Sequence, residues 1–176
     1  MVLVRFISKE PFEIKTEASR PNSTSSWWTP IRLTHAKSTS FGDSEATLWL
    51  SPRTPTLEMV APSCRNAWIL VNYEMNGFFR VNYDRRNWQL LAMQLRYNHS
   101  FIPPVTRAQL IDDAFWLARA GVIDYDIPYD VIKYLDHVND DEFIVSAALD
   151  HIEYLQQMEA DDTNDVSYPV KNSSSF

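Results

Sequence analysis

The chain has 176 residues, which is enough for one compact domain or two small ones. Hydrophobic residues make up 45% of it and charged residues 22%, a balance that is ordinary for a globular protein and excludes a chain disordered throughout. The formal net charge is −7 and no dense cluster of Lys and Arg is present, so we do not expect binding to the phosphate backbone of a nucleic acid.

The first half of the chain consists of short β-rich segments separated by Pro, Ser and Thr. Strands are predicted at 2–7, 28–33, 47–50, 67–73 and 78–83, with polar loops at 15–26 and 34–44. The last two strands flank Asn76-Gly77, a pair that favours a tight β-hairpin turn. Both faces of 67–73 are largely apolar, which indicates a strand covered on both sides. Strands at this spacing predict a small β-sandwich.

After Asp84 the hydrophobic period becomes helical. Asp84 suits the N-cap of a helix that places Trp88, Leu91 and Leu95 on one face. A second helix follows Pro103-Pro104, where Thr106 and Gln109 have the spacing of a capping box. Gly121 provides its C-terminal stop. The inner face of this second helix is predicted to be Leu110, Ala114, Leu117 and Ala118.

Two more helices and a tail are predicted beyond Gly121. Pro128 suits the first turn of a third helix, and Asn139 with Glu142 forms a capping pair before a fourth. The fourth helix has an apolar stripe of Ile144, Ala147, Ala148, Ile152 and Leu155. From residue 159 the sequence is acidic, then Ser-rich, and predicts a disordered tail. The predicted fold class is α+β: a β-sandwich over 1–83, α-helical hairpins over 84–158 and the tail over 159–176.

The histidines do not form a zinc peptidase motif. None of His35, His99, His137 and His151 is followed by Glu, and no two are four residues apart, so the His-Glu-x-x-His helix is absent. A metal site at His137 and His151 is one alternative, because Asp136, Asp140, Asp141 and Glu142 are close in sequence. The favoured interpretation is a solvated helix end, where acidic residues suit the helix N-terminus.

Other candidate chemistry is sparse. Asp112-Asp113 could suggest paired carboxylates for acid–base catalysis. Adjacent helical side chains project about 100° apart, so at most one is expected to face a site, and structural ion pairing is favoured. Cys64, the single cysteine, could be a reactive thiol, although a small loop residue is the favoured interpretation. Only three glycines are present, too few to favour a nucleotide-binding loop.

Three N-glycosylation sequons occur, at Asn22, Asn98 and Asn172. Asn22 and Asn98 are the candidate acceptors if the chain enters the secretory route, and Asn98 is favoured over Asn172 because it falls between two predicted helices. Residues 1–14 contain no long apolar run, because Lys9-Glu10-Pro11 interrupts it. Neither a signal peptide nor a membrane span is therefore expected, and the chain as written predicts a cytoplasmic product.

Several sequence runs resemble the aminopeptidase N family of zinc metallopeptidases. Trp68-Ile69-Leu70-Val71-Asn72 and Gly77-Phe78-Phe79-Arg80-Val81-Asn82-Tyr83-Asp84, with Asn87-Trp88, resemble the end of that family's β-sandwich domain. Arg107-Ala108-Gln109-Leu110-Ile111-Asp112-Asp113-Ala114-Phe115 resembles the start of its C-terminal α-superhelix. Trp28-Thr29-Pro30-Ile31-Arg32-Leu33-Thr34 and Arg5-Phe6-Ile7 are similar to earlier sandwich strands.

The resemblance implies a part of an enzyme whose relatives are zinc-dependent and remove N-terminal residues from peptides. It places this chain outside the catalytic domain, so no catalytic, cofactor-binding or metal-binding residue and no cofactor is expected here. It implies the parent's catalytic domain and peptides as partners, an extracellular or plasma-membrane location, and self-association through the uncapped helical end. The alternative is a free-standing protein-interaction module derived from such an enzyme.

Overall fold

The structure is a computed structural model that describes residues 2–7, 12–18, 28–36, 48–51, 56–59, 67–137 and 142–165. Eight strands lead into four helices within this part of the chain. The strands are β1 (Val2–Ile7), β2 (Phe12–Ala18), β3 (Thr29–Ile31), β4 (Leu33–His35), β5 (Leu48–Leu50), β6 (Thr56–Met59), β7 (Ile69–Val71) and β8 (Arg80–Tyr83). The helices are α1 (Arg85–Asn98), α2 (Pro104–Arg119), α3 (Asp126–Ile132) and α4 (Glu142–Asp165). The predicted fold class, small sheets followed by helices, is confirmed.

The strands form three small sheets. The largest has the order β6-β2-β1-β8, in which β1 is antiparallel to β2 and parallel to β8. Strand β3 pairs with β5, and β4 pairs with β7, both antiparallel. Sequence patterning did not predict β2 or β6. The polar loop predicted at 15–26 is wrong for residues 15–18, which continue β2, and the loop predicted at 34–44 is wrong for residues 34–35, which belong to β4. Glu or Lys occupies every second position of β2, so the segment contains no apolar run that would have predicted a strand.

The hairpin predicted at Asn76-Gly77 is wrong. Strand β7 pairs with β4 and strand β8 pairs with β1, so the two strands on either side of the turn belong to different sheets. The connection is a short 3-10 turn in which Asn72, Glu74 and Met75 have positive φ angles. Asn76, with φ −66°, is in the right-handed region. The side chain of Asn72 replaces the hairpin bonds, because it accepts from the Gly77 N–H and donates to the Gly77 and Phe79 carbonyls.

The helices follow the predicted apolar faces. Trp88, Leu91 and Leu95 of α1 are buried, as are the predicted inner residues of α2. The side chain of Asp84 caps α1 by accepting from the Asn87 N–H at 2.9 Å, which confirms the predicted N-cap. Gly121 has a φ of 68° just after α2, as expected of a C-terminal stop.

Two predictions about helix ends are wrong. Helix α2 begins at Pro104, so Thr106 lies inside its first turn rather than at its cap. The Thr106 hydroxyl accepts from the Glu74 N–H at 2.9 Å and thereby fastens the 3-10 turn to α2. Helix α4 continues to Asp165, so residues 159–165 of the predicted tail are helical. Asn139, the predicted cap of α4, lies outside the described residues.

Buried side chains from the sheets and from all four helices form one hydrophobic cluster. It includes both faces of 68–71, as predicted for a strand covered on both sides. Ile144 and Ala148 of α4 are also buried in it, and Ile152 and Leu155 pack against it. The predicted stripe of α4 is therefore its inner face on α2 and is not the uncapped end through which self-association is expected. Phe143, Leu149 and Met158 are large apolar side chains of α4 that are exposed.

Candidate functional site: the Arg80 junction

A cluster of four charged or ionisable side chains connects strand β8 with helices α2 and α4. We call Arg80, Asp112, Asp113 and His151 the Arg80 junction. Arg80 extends from β8 to α2, where its Nη1 donates to Asp113 Oδ1 at 2.9 Å and also contacts Asp112 Oδ2. The predicted ion pairing of this Asp pair is confirmed. The expectation that only one of them faces a common site is wrong, because the guanidinium lies between the two carboxylates.

Asp113 is the buried centre of the junction. Its side chain is 5% exposed, and besides Arg80 it accepts from the backbone N–H of Val81 at 3.1 Å. Burial raises the pKa of Asp113 to about 7, although Arg80 and the Val81 N–H both favour the charged form. The carboxyl group thus satisfies a backbone donor of β8 from the middle of α2, and this fixes the position of the strand on the helix.

Asp112 is in a different environment from its neighbour. Its side chain is 44% exposed and accepts from Arg80 and from His151, whose Nε2 is 3.1 Å from Asp112 Oδ1. Partial burial alone would raise its pKa, but the hydrogen bonds from His151 and Arg80 hold the pKa of Asp112 below its usual range. The two adjacent carboxyl groups therefore have opposite pKa shifts because only Asp113 is almost completely removed from water.

His151 joins α4 to this cluster. Its ring stacks on Phe115 with a centroid distance of 4.9 Å and an angle of 7°, and its Nδ1 is 3.5 Å from Arg119 Nη2. Arg119 in turn lies over the ring of Tyr154, 3.6 Å from its centroid. The predicted solvated position is therefore wrong for His151, which lies in the α2–α4 interface. His137 is exposed at the end of a 3-10 turn.

The contacts of the junction hold β8, α2 and α4 together. The two carboxylates are paired with Arg80, whose guanidinium also lies 5.1 Å from the ring centroid of Trp116. No group of three His, Cys, Asp or Glu residues that could hold a metal ion occurs among the described residues. Asp140 and Asp141, which the alternative metal site requires, lie outside that part of the chain, as do Cys64 and Asn22.

Side-chain amides and a phenol support the same region beside the junction. Asn87 of α1 donates to the Ile69 carbonyl at 2.7 Å and accepts from the Ile69 N–H at 2.9 Å. The Tyr83 hydroxyl accepts from the Val71 N–H at 2.9 Å. These bonds satisfy backbone groups of β7 on its side away from β4, so β7 is held between β4 and the α1 segment.

A second surface feature lies at the corner between β8 and α1. It is a cleft of about 360 Å³ lined by residues that include Arg5, Asn82, Asp84, Arg85 and Asp124. Arg85 reaches Asp124 at 3.6 Å and also pairs with Asp126. Positive and negative groups alternate around this cleft and Arg85 is engaged in ion pairs, so its charges do not favour one class of ligand.

The sequence did not reveal that Arg80 and His151 belong to one cluster. The available signals were an Arg between the apolar residues Phe79 and Val81 in a strand, and an Asp pair within the otherwise apolar segment 110–118. Each indicates a charge near the core, where an unpaired charge is unfavourable. The partner of each charge depends on tertiary contacts between residues 32 or more positions apart. Asn98, the remaining site residue within the described part, is exposed at the end of α1.

Comparisons with known proteins agree with the resemblance. The family described as the ERAP1-like C-terminal domain matches residues 68–170, which include the whole Arg80 junction. The chain is 37% identical over 131 residues to aminopeptidase N of Plutella xylostella, covering 74% of this chain and 14% of that protein. It is 42% identical over 127 residues to the thyrotropin-releasing hormone-degrading ectoenzyme of Mus musculus, covering 72% and 12%.

A third relative, human aminopeptidase Q, is 32% identical over 142 residues, which is 79% of this chain and 14% of that protein. The chain therefore spans only about one eighth to one seventh of the length of the curated relatives that it matches. Among the helices that the structure describes, none is both long and apolar enough to cross a membrane.

Proposed function

Because this chain belongs to the ERAP1-like C-terminal domain family, we propose that it is a non-catalytic part of an aminopeptidase N-like zinc enzyme. Its role is that of a scaffold, which joins a β module to the first helices of a helical domain and contributes part of the wall of a peptide-binding chamber. The Arg80 junction carries this proposal, since it fastens β8, α2 and α4 to one another through buried or half-buried charges.

The proposed partners are the catalytic domain of the same enzyme and the peptides that enter its chamber. Zinc and the peptide-cleaving residues belong to that catalytic domain. Further helices of the parent pack against α4, on which Phe143, Leu149 and Met158 are 64%, 48% and 49% exposed. Leu149 and Met158 project from opposite sides of the helix, so they serve contacts on two sides of it. An isolated chain self-associates through this helical end. One relative is named an ectoenzyme, which supports an extracellular or plasma-membrane location for the parent.

The non-catalytic part of the proposal is tested on the purified chain. We expect no stoichiometric zinc by elemental analysis and no hydrolysis of aminoacyl-naphthylamide substrates. One tightly bound zinc ion per chain, together with turnover that a chelator abolishes, would show that the chain has an active site of its own and would refute the proposal.

The scaffold part is tested in a chimaera. In the mouse thyrotropin-releasing hormone-degrading ectoenzyme, the matching 127-residue segment is replaced by the corresponding segment of this chain. We expect the chimaera to degrade the hormone, and Asp113→Leu within the segment to abolish most of that activity because the junction no longer forms. Gln89→Ala, on the exposed side of α1, is the matched control. Full activity of the Asp113→Leu chimaera would show that the junction does not support the enzyme.

A further inference from the structure

The end of helix α1 presents an N-glycosylation sequon in an accessible form. Asn98-His99-Ser100 has the acceptor pattern Asn-x-Ser without Pro at the central position. Asn98 is the last residue of α1 and leaves the helical region with φ −156° and ψ 86°. The side chains of Asn98 and Ser100, the two residues that define the sequon, are both exposed.

The structure also explains why these two side chains face the solvent. The ring of the central residue, His99, stacks on Tyr134 with a centroid distance of 5.7 Å and an angle of 25°. The carbonyl of Asn98 accepts from the Gln94 side chain at 2.9 Å, and the carbonyl of His99 accepts from the Ile102 N–H at 3.0 Å. The turn is therefore held by its backbone and by its central residue, while the Asn98 amide is left to react.

An exposed apolar surface lies immediately beside the acceptor. Tyr97 is 91% exposed and Met93 is 49% exposed. These residues are four positions apart in α1 and so share one face of the helix. The ring of a Tyr offers an apolar face and a polar hydroxyl, which suits the C–H face of a sugar as well as its hydroxyl groups.

We propose that Asn98 carries an N-linked oligosaccharide whose first N-acetylhexosamine packs on the ring of Tyr97. In the transfer, Asn98 Nδ2 attacks C1 of the sugar of a lipid-diphosphate-linked oligosaccharide. An Nδ2–C1 bond forms and the C1–O bond to the diphosphate breaks. The lipid diphosphate leaves with the bonding electron pair, and the amide gives up one proton. Nothing is oxidised or reduced.

The experiment uses the full chain, directed into the secretory route of eukaryotic cells by an added cleavable leader and carrying a reporter sequon in a C-terminal tag. Peptide N-glycosidase in heavy-oxygen water converts each glycosylated Asn into labelled Asp, which peptide mass spectrometry locates. We expect the label at position 98. Asn98→Gln and Ser100→Ala should each lose that one glycan, and Ser100→Thr should keep it. An unlabelled Asn98 in protein whose reporter is labelled would overturn the proposal.

The packing on Tyr97 has its own readout. Enzymatic removal of the glycan from the native protein should lower Tm by about 2–4 °C, whereas the same treatment of Tyr97→Ser should leave Tm unchanged. Asn98 remains labelled in Tyr97→Ser, since the sequon is intact. An equal fall in Tm for both proteins would show that the sugar does not use the Tyr97 ring.

Discussion

The buried carboxyl group of Asp113 should make the stability of the protein depend on pH. This carboxyl group is nearly buried, and burial raises its pKa from 3.8 to about 7. A group whose pKa is higher in the folded protein than in the unfolded chain stabilises the fold fully only below the unfolded value. That stabilisation is lost as the pH rises toward the folded value. The three pKa units between 3.8 and 7 correspond to roughly 4 kcal/mol.

The perturbation is Asp113→Asn, which keeps an oxygen that can accept from the Val81 N–H but does not titrate. We expect the wild type to lose stability relative to this variant as the pH rises from 5 to 8. Between pH 5 and 8, the free energy of unfolding of the wild type should fall by about 2–3 kcal/mol relative to that of Asp113→Asn. The change is smaller than the full value of about 4 kcal/mol because unfolded Asp is already mostly ionised at pH 5. Urea unfolding followed by circular dichroism at each pH measures the two free energies.

Gln89→Ala, an uncharged substitution on the exposed side of α1 and outside the Arg80 junction, is the control. Its free energy of unfolding should differ from that of the wild type by an amount that does not depend on pH. For Asp113→Asn, a difference in free energy of unfolding from the wild type that stays constant from pH 5 to 8 would refute the reasoning. It would mean that pairing with Arg80 outweighs burial and that Asp113 remains charged in the fold throughout this range.

Three other substitutions test two hydrogen-bonded side chains and one backbone conformation by urea unfolding. Asn87→Ala should lower the free energy of unfolding by about 2–4 kcal/mol, since it leaves the buried N–H and C=O of Ile69 unpaired; Gln89→Ala, on the exposed face, should change it by less than about 0.5 kcal/mol. Asp84→Ala should lower it by about 1 kcal/mol through loss of the N-cap, and an unchanged value would show that the cap is dispensable. Gly121→Ala should lower it by about 1–2 kcal/mol because of its φ of 68°, as no atom beyond the adjoining residues lies within 4 Å of the new Cβ; a larger loss would reveal a steric clash.

Local signals in the sequence were sufficient to predict the helices, their caps and their buried faces. The cap at Asp84, the stop at Gly121 and the buried face of Trp88, Leu91 and Leu95 all depend on residues within one or two turns of each other. Contacts between residues this close in the sequence can be predicted from a single segment, without knowing where the rest of the chain lies.

The strand pairing and the junction could not be predicted in the same way. Asn76-Gly77 has the composition of a hairpin turn, but β8 pairs with β1, which is more than 70 residues earlier in the chain. Thr106 has the spacing of a capping residue, but its hydroxyl is used by Glu74. In both cases a tertiary contact overrides a local preference, and no periodicity records which distant segment provides that contact.

The bonds made by the family-like residues bear on the proposed function. The Asn72 amide bonds to the turn that follows it, and the Tyr83 hydroxyl bonds to the backbone of Val71. The Asn87 amide bonds to the backbone of Ile69. The Asp113 carboxyl accepts from Arg80 and from the Val81 N–H. These bonds connect strands, a turn and helices to one another within the fold. A sequence pattern built from such residues therefore identifies an architecture, which is what the proposed scaffold role requires.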